Sequence, residues 1–262
     1  MTSSLRTTSS TAAGKLRRLH RVFAGDGRSV IVAMDHAGFQ GYGPPLADGL
    51  EAILAGGPDA VLVGWNLARS AAEQLSHFGL VLRLDGGTSE LGERASSDPT
   101  GLLYTAEAAL SLGADAVAVM VYPGAREEHV SLRRLAELCT ECDRLGLPVM
   151  AEVVPGSFGR HIEWSTQNIS RSVRIAVEIG ADIIKTMSPQ DVTEMSKVVA
   201  DCPVPLVALG GPRMESEDDS VDLARNVVAA GASGVAFGRN VWESPKPEAV
   251  VRRLREAVHG HL

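Results

Sequence analysis

Eight short runs of apolar, mostly β-branched residues recur along the chain, and segments with helical periodicity lie between them. The runs are continuously apolar rather than alternating, which is typical of parallel strands that are buried on both faces. The predicted strands are Ser29–Asp35, Asp59–Gly64, Gly79–Asp85, Asp115–Tyr122, Pro148–Val154, Asp182–Thr186, Val204–Gly210 and Gly234–Gly238. The clearest predicted helices are Leu103–Leu112, Ser131–Leu145, Ser170–Ile179, Val192–Ala200, Ser220–Ala230 and Pro247–Val258.

A similar short phrase stands at four of the joints between a helix and the next strand. It reads Gly-Gly-Pro-Asp-Ala at 56–60, Gly-Ala-Asp-Ala at 113–116, Gly-Ala-Asp-Ile at 180–183 and Gly-Ala-Ser-Gly at 231–234. Glycine is the expected residue where a helix ends and the chain turns into a strand. Eight such strand–helix units predict an α/β fold, a single-domain (β/α)₈ TIM barrel, with a doubly wound sheet as the alternative. The length of 262 residues fits that barrel.

The composition narrows the possible partners and the setting. The formal net charge of −7 argues against general binding of nucleic acid or of an anionic membrane. No apolar stretch is long enough to span a bilayer. The three cysteines suit a reducing compartment, so we expect a cytoplasmic protein. Residues 1–13, rich in Ser, Thr and Ala, are expected to be a flexible tail before a barrel at 14–262.

Cys139 and Cys142 form a Cys-x-x-Cys pattern that raises the question of redox chemistry. The pattern lies inside a predicted helix and not at the strand-to-helix turn that a thioredoxin-like site uses. We therefore interpret the pair as two cysteines on one helix face.

Only four of the 25 basic residues are lysines, and Lys185 differs from the other three. It follows two isoleucines near the end of the sixth strand, so its side chain should point into the mouth of the barrel. Apolar surroundings disfavour the charged form, which would make Lys185 an amine able to form a Schiff base with a carbonyl. The alternative is a structural lysine paired to a carboxylate. Lys15, Lys197 and Lys246 carry no comparable signal.

Other polar residues stand at or near strand ends, where barrels carry their active sites. Glu152 lies in an apolar run of the fifth strand and needs a partner, for which Lys185 on the neighbouring strand is the obvious candidate. Asp35 and His36 end the first strand and could hold substrate hydroxyls or move protons. Tyr122 ends the fourth strand and could donate a hydrogen bond or act as an acid. The alternatives are a charge-balancing pair, a capping aspartate and an amphipathic rim tyrosine.

The last two strands end in glycine-rich segments. Gly210 and Gly211 follow the seventh strand, and Gly238 and Arg239 follow the eighth. Glycine lets backbone N–H groups approach an anion, and arginine adds charge-assisted hydrogen bonds. Loops after strands seven and eight are the usual phosphate site of these barrels. The seven histidines show no metal-ligand spacing, so we expect no metal and no cofactor.

Taken in order, five motifs resemble one family. They are Met34-Asp35-His36, Tyr122-Pro123-Gly124, Ile184-Lys185-Thr186, Gly210-Gly211-Pro212 and Gly238-Arg239-Asn240-Val241-Trp242. The set is similar to the Schiff-base (class I) aldolases of the archaeal-type fructose-bisphosphate aldolase group, in the DeoC/LacD aldolase family. The stretch Gly-Gly-Thr-Ser at 86–89 and Cys-Pro-Val-Pro at 202–205 resemble its hydroxy-phosphonooxypentanedione thiolase branch more than the sugar aldolases.

The resemblance implies a role for each matching residue. Lys185 falls at the Schiff-base lysine, and Asp35 falls at an aspartate that contacts substrate and assists proton transfer. Gly210, Gly211, Gly238 and Arg239 fall at the phosphate site, and we group His36 with these substrate-binding residues. One departure matters: Val154 stands where the archaeal-type aldolases carry the acid/base tyrosine. Either Glu152, Asp35 or Tyr122 takes that role, or the reaction differs.

The expected activity is an aldolase that makes or breaks a C–C bond in a phosphorylated, ketose-like substrate. Dihydroxyacetone phosphate is the expected donor, with an aldehyde besides or other than glyceraldehyde phosphate, for example aspartate semialdehyde. Alternatives are thiolase-like acyl transfer to coenzyme A from a phosphorylated dione, general acid/base isomerase chemistry, and a non-enzymatic phosphosugar-binding regulator. The resemblance also implies a homo-oligomer, from tetramer to decamer.

Overall fold

The eight predicted strands close into one barrel. A computed structural model describes residues 5, 12–35, 48–86, 101–157 and 162–260. Every neighbouring pair of strands is parallel, and the last strand pairs with the first, so the predicted single-domain (β/α)₈ TIM barrel is confirmed. The strands are β1 Ser29–Met34, β2 Ala60–Val63, β3 Gly79–Arg83, β4 Ala116–Val121, β5 Val149–Val153, β6 Ile183–Thr186, β7 Leu206–Leu209 and β8 Gly234–Phe237.

Helices connect the strands around the outside of the barrel. They are α1 Ala13–Val22, α2 Asp48–Ala55, α3 Trp65–Ser70, α4 Ala72–Leu75, α5 Ala106–Ser111, α6 Glu128–Leu145, α7 Thr166–Ile179, α8 Met195–Ala200, α9 Glu217–Ala229, α10 Arg239–Trp242 and α11 Pro247–His259, with a 3₁₀ turn at Val192–Glu194. The seventh helix begins four residues before the predicted Ser170 because Ser165 caps it by accepting from the amide of Asn168. None of the helices in the described ranges is long and apolar enough to cross a membrane.

The lower interior of the barrel is filled with small and branched apolar side chains. Met150, Ile183 and Val207 belong to this cluster, together with alanines from β1, β2, β4 and β8. Leu19, Val22 and Phe23 of α1 are buried in the same cluster. These side chains fill that part of the barrel interior, and barrels of this kind carry their active sites at the C-terminal ends of the strands.

The repeated glycine joints have the geometry that the sequence predicts. Gly57, Gly113, Gly180 and Gly231 all have positive φ, between 73° and 120°, which favours glycine. The aspartate of each Gly-x-Asp joint has a second role that the sequence analysis did not anticipate. Asp59, Asp115 and Asp182 each accept a backbone N–H from the preceding strand; the donors are Val30, Leu80 and Val149. These three carboxylates tie β1, β3 and β5 to β2, β4 and β6.

Basic side chains from the first and last described helices neutralise the same three aspartates. From α1, Lys15 Nζ lies 2.7 Å from Asp182 and Arg21 Nε lies 2.7 Å from Asp115. From α11, Arg255 and His259 lie 2.7 and 2.9 Å from Asp59. Lys15, which carries no signal in the sequence, is only 4% exposed and also bonds Asp143. Both helices are thus held at the N-terminal end of the barrel by ion pairs as well as by apolar contacts.

The Cys-x-x-Cys pattern lies on α6, as predicted. Cys139 and Cys142 are both buried and carry free thiols. Burial raises the pKa of each thiol to about 12, so both stay protonated and unreactive at neutral pH. A pair of inert, apolar helix residues fits this geometry.

Replacing His259 tests how α11 is held. Its ring nitrogens lie 2.8 Å from Asp26 and 2.9 Å from Asp59. Burial lowers the pKa of His259, but the bonds to Asp59 and Asp26 outweigh it and raise the pKa above the ordinary value. Stabilisation is therefore complete below about pH 6.5 and is lost as the pH rises through the raised pKa. His259→Gln should cost about 2 kcal/mol at pH about 6 and distinctly less at pH about 9.

Urea unfolding at both pH values measures the difference. His20→Gln, at an exposed position on α1, is the matched control and should cost little at either pH. A His259→Gln penalty that did not change with pH would contradict the ion pairs.

Candidate active site

Lys185 and Glu152 lie side by side at the mouth of the barrel. They are register partners on the neighbouring strands β5 and β6. The Nζ of Lys185 lies 3.0 Å from Oε2 of Glu152, and the two side chains are 5% and 7% exposed. This is the pairing that the strand order predicts. A carboxylate therefore lies within hydrogen-bonding distance of the amine.

Arg83, which was not among the predicted site residues, lies at the centre of this group. Its side chain is 2% exposed and donates from Nε to Oδ2 of Asp35 at 2.7 Å. Its Nη2 contacts both Asp35, at 2.6 Å, and Oε2 of Glu152. Burial alone lowers the pKa of Arg83, but the charges of Asp35, Glu152 and Asp85 raise it above its ordinary value. The guanidinium therefore joins two of the predicted site residues, Asp35 and Glu152, into one charged cluster.

Asp85 connects the charged cluster to β4 and α6. It is 2% exposed, lies 3.4 Å from Nη1 of Arg83, and accepts the amide of Met120 at 2.8 Å. On its other side Nη2 of Arg134, from α6, lies 3.2 Å from Asp85 and donates to the carbonyl of Met120 at 2.6 Å. The Nε and Nη1 of Arg134 are buried without a hydrogen-bond partner in the part of the chain that the structure describes. Asp85 therefore serves two arginines and one backbone amide.

Tyr122 lies beside the same charges. Its side chain is almost fully buried at the end of β4. Burial, and then the negative charges of Asp85 and Glu152, raise the pKa of the Tyr122 phenol. The hydroxyl therefore stays protonated at neutral pH, where it can donate a hydrogen bond but cannot serve as a base.

The glycine-rich segments after β7 and β8 meet each other, as the sequence predicts. Nη2 of Arg239 donates to the carbonyl of Gly211 at 3.1 Å. The amide of Asn240 donates to the carbonyls of Gly210 and Pro212 at 3.0 and 3.2 Å. Gly211 has a φ of +65°, which favours glycine. Asn240, quoted in the sequence motif but given no role there, thus joins the two segments together with Arg239.

Gly238 brings the second of these segments against the end of β1. A Cβ at this position would lie 2.8 Å from the carbonyl oxygen of Ala33, so only glycine fits. The indole N–H of Trp242 donates to the same carbonyl at 3.2 Å. Ala33 lies two residues before Asp35. The glycine-rich segments therefore close onto the strand that carries one of the cluster's carboxylates.

The remaining predicted features are His36, the segment after β3 and Val154. His36 and most of the segment after β3, from residue 87 to residue 100, lie outside the described residues. Val154, at the position of the family tyrosine, is fully buried. Within the described ranges, no three His, Cys, Asp or Glu side chains are grouped closely enough to hold a metal ion.

The sequence contains an indication of two cluster residues that were not among the predicted site residues. Arg83 and Asp85 are charges inside the apolar run at 79–85, and that is the criterion that selects Glu152. Arg134 gives no such signal, because an arginine in an amphipathic helix is expected to face solvent. Its burial follows only from the path that α6 takes past β4.

Replacing Asp85 tests how much the buried charge cluster contributes to the free energy of unfolding. Asp85→Ala leaves two buried cations underpaired and should cost about 3–5 kcal/mol of unfolding free energy. Asp85→Asn should cost less, since its amide oxygen can still accept from Met120 and Arg134. Asp222→Ala breaks an exposed pair with Arg225 and should cost at most about 1 kcal/mol. Urea denaturation of the three variants decides; similar losses for Asp85→Ala and Asp222→Ala would refute the buried network.

Comparison with known proteins agrees with this architecture. Residues 29–244 match the family described as DeoC/LacD family aldolase. The 3-hydroxy-5-phosphonooxypentane-2,4-dione thiolase of Enterobacter sp. (strain 638) is 33% identical over 256 residues, which are 95% of this chain and 82% of the relative. The 2-amino-3,7-dideoxy-D-threo-hept-6-ulosonate synthase 1 of Archaeoglobus fulgidus is 34% identical over 259 residues, which are 95% of this chain and 92% of the relative.

A solved structure gives the same result for the fold. A Schiff-base-forming fructose-1,6-bisphosphate aldolase, studied through its reaction intermediates, superposes with a TM-score of 0.82 at 29% identity, covering 93% of this chain and 99% of the other. The family match spans most of the barrel and includes both Lys185 and the glycine-rich segments. The chain belongs to the DeoC/LacD family of aldolases.

Proposed function

We propose that Lys185 is the Schiff-base lysine of a class I aldolase that acts on a phosphorylated, ketose-like substrate. The observation that carries the proposal is the buried contact, at 3.0 Å, between Nζ of Lys185 and Oε2 of Glu152 at the C-terminal mouth of the barrel. An amine must lose a proton before it attacks a carbonyl, and here a proton acceptor touches it. Among the similar proteins, the solved aldolase is itself described as forming a Schiff base.

The proposed first half-reaction moves one proton out and back. The proton leaves Nζ of Lys185 for Oε2 of Glu152, and the nitrogen lone pair forms a C–N bond to the substrate ketone. The carbonyl π pair moves to oxygen, and proton transfer from nitrogen to oxygen gives a neutral carbinolamine. Glu152 then returns its proton to the carbinolamine hydroxyl, which leaves as water. The product is an iminium ion that can accept electrons from a breaking C–C bond.

Asp35 is the proposed base for the cleavage step. It takes the proton of the hydroxyl on the carbon to be released, the C–C bond breaks, and its electron pair reaches the iminium nitrogen to give an enamine and a free aldehyde. Protonation of the enamine and attack of water return the amine and the ketone. Condensation is the reverse sequence. Tyr122, whose phenol stays protonated, is proposed as a hydrogen-bond donor to substrate or intermediate oxygen.

The phosphate group is proposed to bind at the glycine-rich segments after β7 and β8. Gly210, Gly211 and Gly238 let the backbone come close, and Arg239 already bridges the two segments. His36, directly after Asp35 in the sequence, is also proposed to contribute. Fixing the phosphate would hold the reacting carbonyl over Lys185, so that binding energy far from the reacting bond orients it.

The proposed donor is dihydroxyacetone phosphate, with an aldehyde besides or other than glyceraldehyde phosphate as the partner. Aspartate semialdehyde is one acceptor aldehyde to test. One similar protein is named a 2-amino-3,7-dideoxy-D-threo-hept-6-ulosonate synthase, and that name includes an amino group. The proposal also includes assembly as a homo-oligomer, tetramer to decamer, and a cytoplasmic setting. Light scattering of the purified protein measures the oligomeric state.

A second candidate is acyl transfer to coenzyme A from a phosphorylated dione. The observation that favours it is the 33% identity to a 3-hydroxy-5-phosphonooxypentane-2,4-dione thiolase. Formation of an acyl-coenzyme A from a phosphorylated dione would establish it, and aldol products from dihydroxyacetone phosphate and an aldehyde would establish the first.

Trapping with borohydride tests the lysine. In the presence of dihydroxyacetone phosphate, hydride should add to the iminium carbon and leave a stable secondary amine on Lys185, located by peptide mass spectrometry. Lys185→Met should give no adduct and lose aldol activity by at least about 10⁴-fold. Lys197→Met, at an exposed lysine on α8, is the control and should behave as wild type. An adduct on another lysine, or none, would refute the assignment.

Arg239→Met tests the phosphate site. Loss of a charge-assisted hydrogen bond of about 1.5–3 kcal/mol should raise KM for dihydroxyacetone phosphate roughly 10- to 100-fold. Unphosphorylated dihydroxyacetone, which makes no such bond, should bind equally weakly to both proteins. Steady-state kinetics with both donors measures the difference. An equal KM increase for both would show that Arg239 does not contact phosphate.

A further inference from the structure

Arg83 makes contacts that charge balance alone does not require. Its Nη2 bonds the same atom, Oε2 of Glu152, that contacts Nζ of Lys185. Its Nε and Nη2 also hold Oδ2 of Asp35, at 2.7 and 2.6 Å. Asp35 and Glu152 are the two carboxylates to which the proposed function gives proton transfers. One rigid guanidinium therefore fixes the distance between both of them and connects them to the amine.

We propose that Arg83 is the positioning residue for Schiff-base formation, holding Oε2 of Glu152 on Nζ of Lys185 and Asp35 beside it. The inference rests on the proposed role of Lys185. It adds to that function a residue, Arg83, that does not contact the substrate ketone. Arg83 instead determines the position of Oε2 of Glu152, the proposed proton acceptor. Rotation of the Glu152 side chain away from Lys185 would break its bond to Arg83, so the guanidinium resists that motion.

Among the described residues, the charged and titratable groups around this contact come from several elements. Asp35 follows β1, Arg83 belongs to β3, Glu152 to β5 and Lys185 to β6. Asp85 follows β3, Tyr122 follows β4, and Arg134 comes from α6. A proton that moves from Lys185 to Glu152 stays within this group and leaves its total charge unchanged. Arg83 keeps its own proton throughout, because its carboxylate neighbours raise its pKa.

Lysine cannot replace arginine in this role. The guanidinium presents donors in a fixed planar fork and reaches Asp35, Glu152 and Asp85 at once. A lysine ammonium would keep the positive charge that the buried carboxylates require, but it is a single point on a flexible stem. Arg83→Lys thus separates positioning from charge balance, whereas Arg83→Met removes both.

The decisive measurement is the rate at which borohydride-trappable adduct forms on Lys185 with dihydroxyacetone phosphate, over a range of pH. Misplacing a catalytic group by about 1 Å costs about 10²-fold in rate, so Arg83→Lys should slow adduct formation by roughly that factor. KM should change much less. Arg255→Lys, a charge-conserving change at the opposite end of the barrel, is the control and should leave the rate unchanged.

A double-mutant cycle separates positioning from a merely structural role. If Arg83 acts through Glu152, Arg83→Lys should have little further effect in a Glu152→Gln background. Equal slowing by Arg83→Lys in both backgrounds would overturn the proposal. So would a normal rate in the single variant. Urea unfolding of each variant verifies that the compared proteins are folded.

Arg83→Met supplies an independent readout where it folds, since loss of the guanidinium makes the neighbouring carboxylates easier to protonate. The acid limb of the rate profile should then move to higher pH, while in Arg83→Lys it should stay near the wild-type position. An unmoved limb in Arg83→Met would count against the proposal. Wild-type protein without any adduct on Lys185 would instead refute the proposed function, so the two failures are distinguishable.

Discussion

Buried charge at the mouth of the barrel is the constraint on which the rest of this structure depends. Arg83 is 2% exposed, and taking an ion of that kind out of water costs several kcal/mol unless partners replace the water. Asp35, Asp85 and Glu152 supply that replacement, and they in turn need Arg134 and Lys185. Each of these side chains is tolerable only because the others are present. The position of Lys185 is therefore fixed by electrostatics as much as by the strand that carries it.

The two ends of the barrel use ion pairs differently. At the N-terminal end, Asp59, Asp115 and Asp182 each bond a backbone amide and a cation from α1 or α11. Partners are shared there too, since Asp59 contacts both Arg255 and His259, and Lys15 contacts both Asp182 and Asp143. At the C-terminal end the cluster contains an amine, Lys185, whose partner Glu152 is shared with Arg83. The two ends differ in their proposed roles: Lys185 and Glu152 exchange a proton, whereas the ion pairs at the N-terminal end hold α1 and α11 on the barrel.

How much of this could be predicted depends on what the pattern encodes. The strands followed from continuous apolar runs, and the contact between Glu152 and Lys185 followed from the order of neighbouring strands. The role of Lys15 could not be predicted, because its burial depends on the way α1 packs across the barrel end. Arg134 was equally hidden, since one turn of α6 decides whether a helical arginine faces solvent or Asp85. Such long-range contacts leave no periodic trace in the sequence.

The absence of a tyrosine at position 154 gains a physical meaning from this arrangement. A tyrosine there would offer a phenol, whereas Glu152 and Asp35 offer carboxylates that the guanidinium of Arg83 holds in place. Within the described residues, Tyr122 lies near the cluster, and burial together with the negative charges of Asp85 and Glu152 keeps its phenol protonated. The negative charge of Glu152, which the proposed function uses to accept a proton from Lys185, therefore also helps to disqualify the phenol of Tyr122 as a base. In the proposed function, proton transfer falls to carboxylates because burial and nearby negative charge oppose a phenolate at Tyr122.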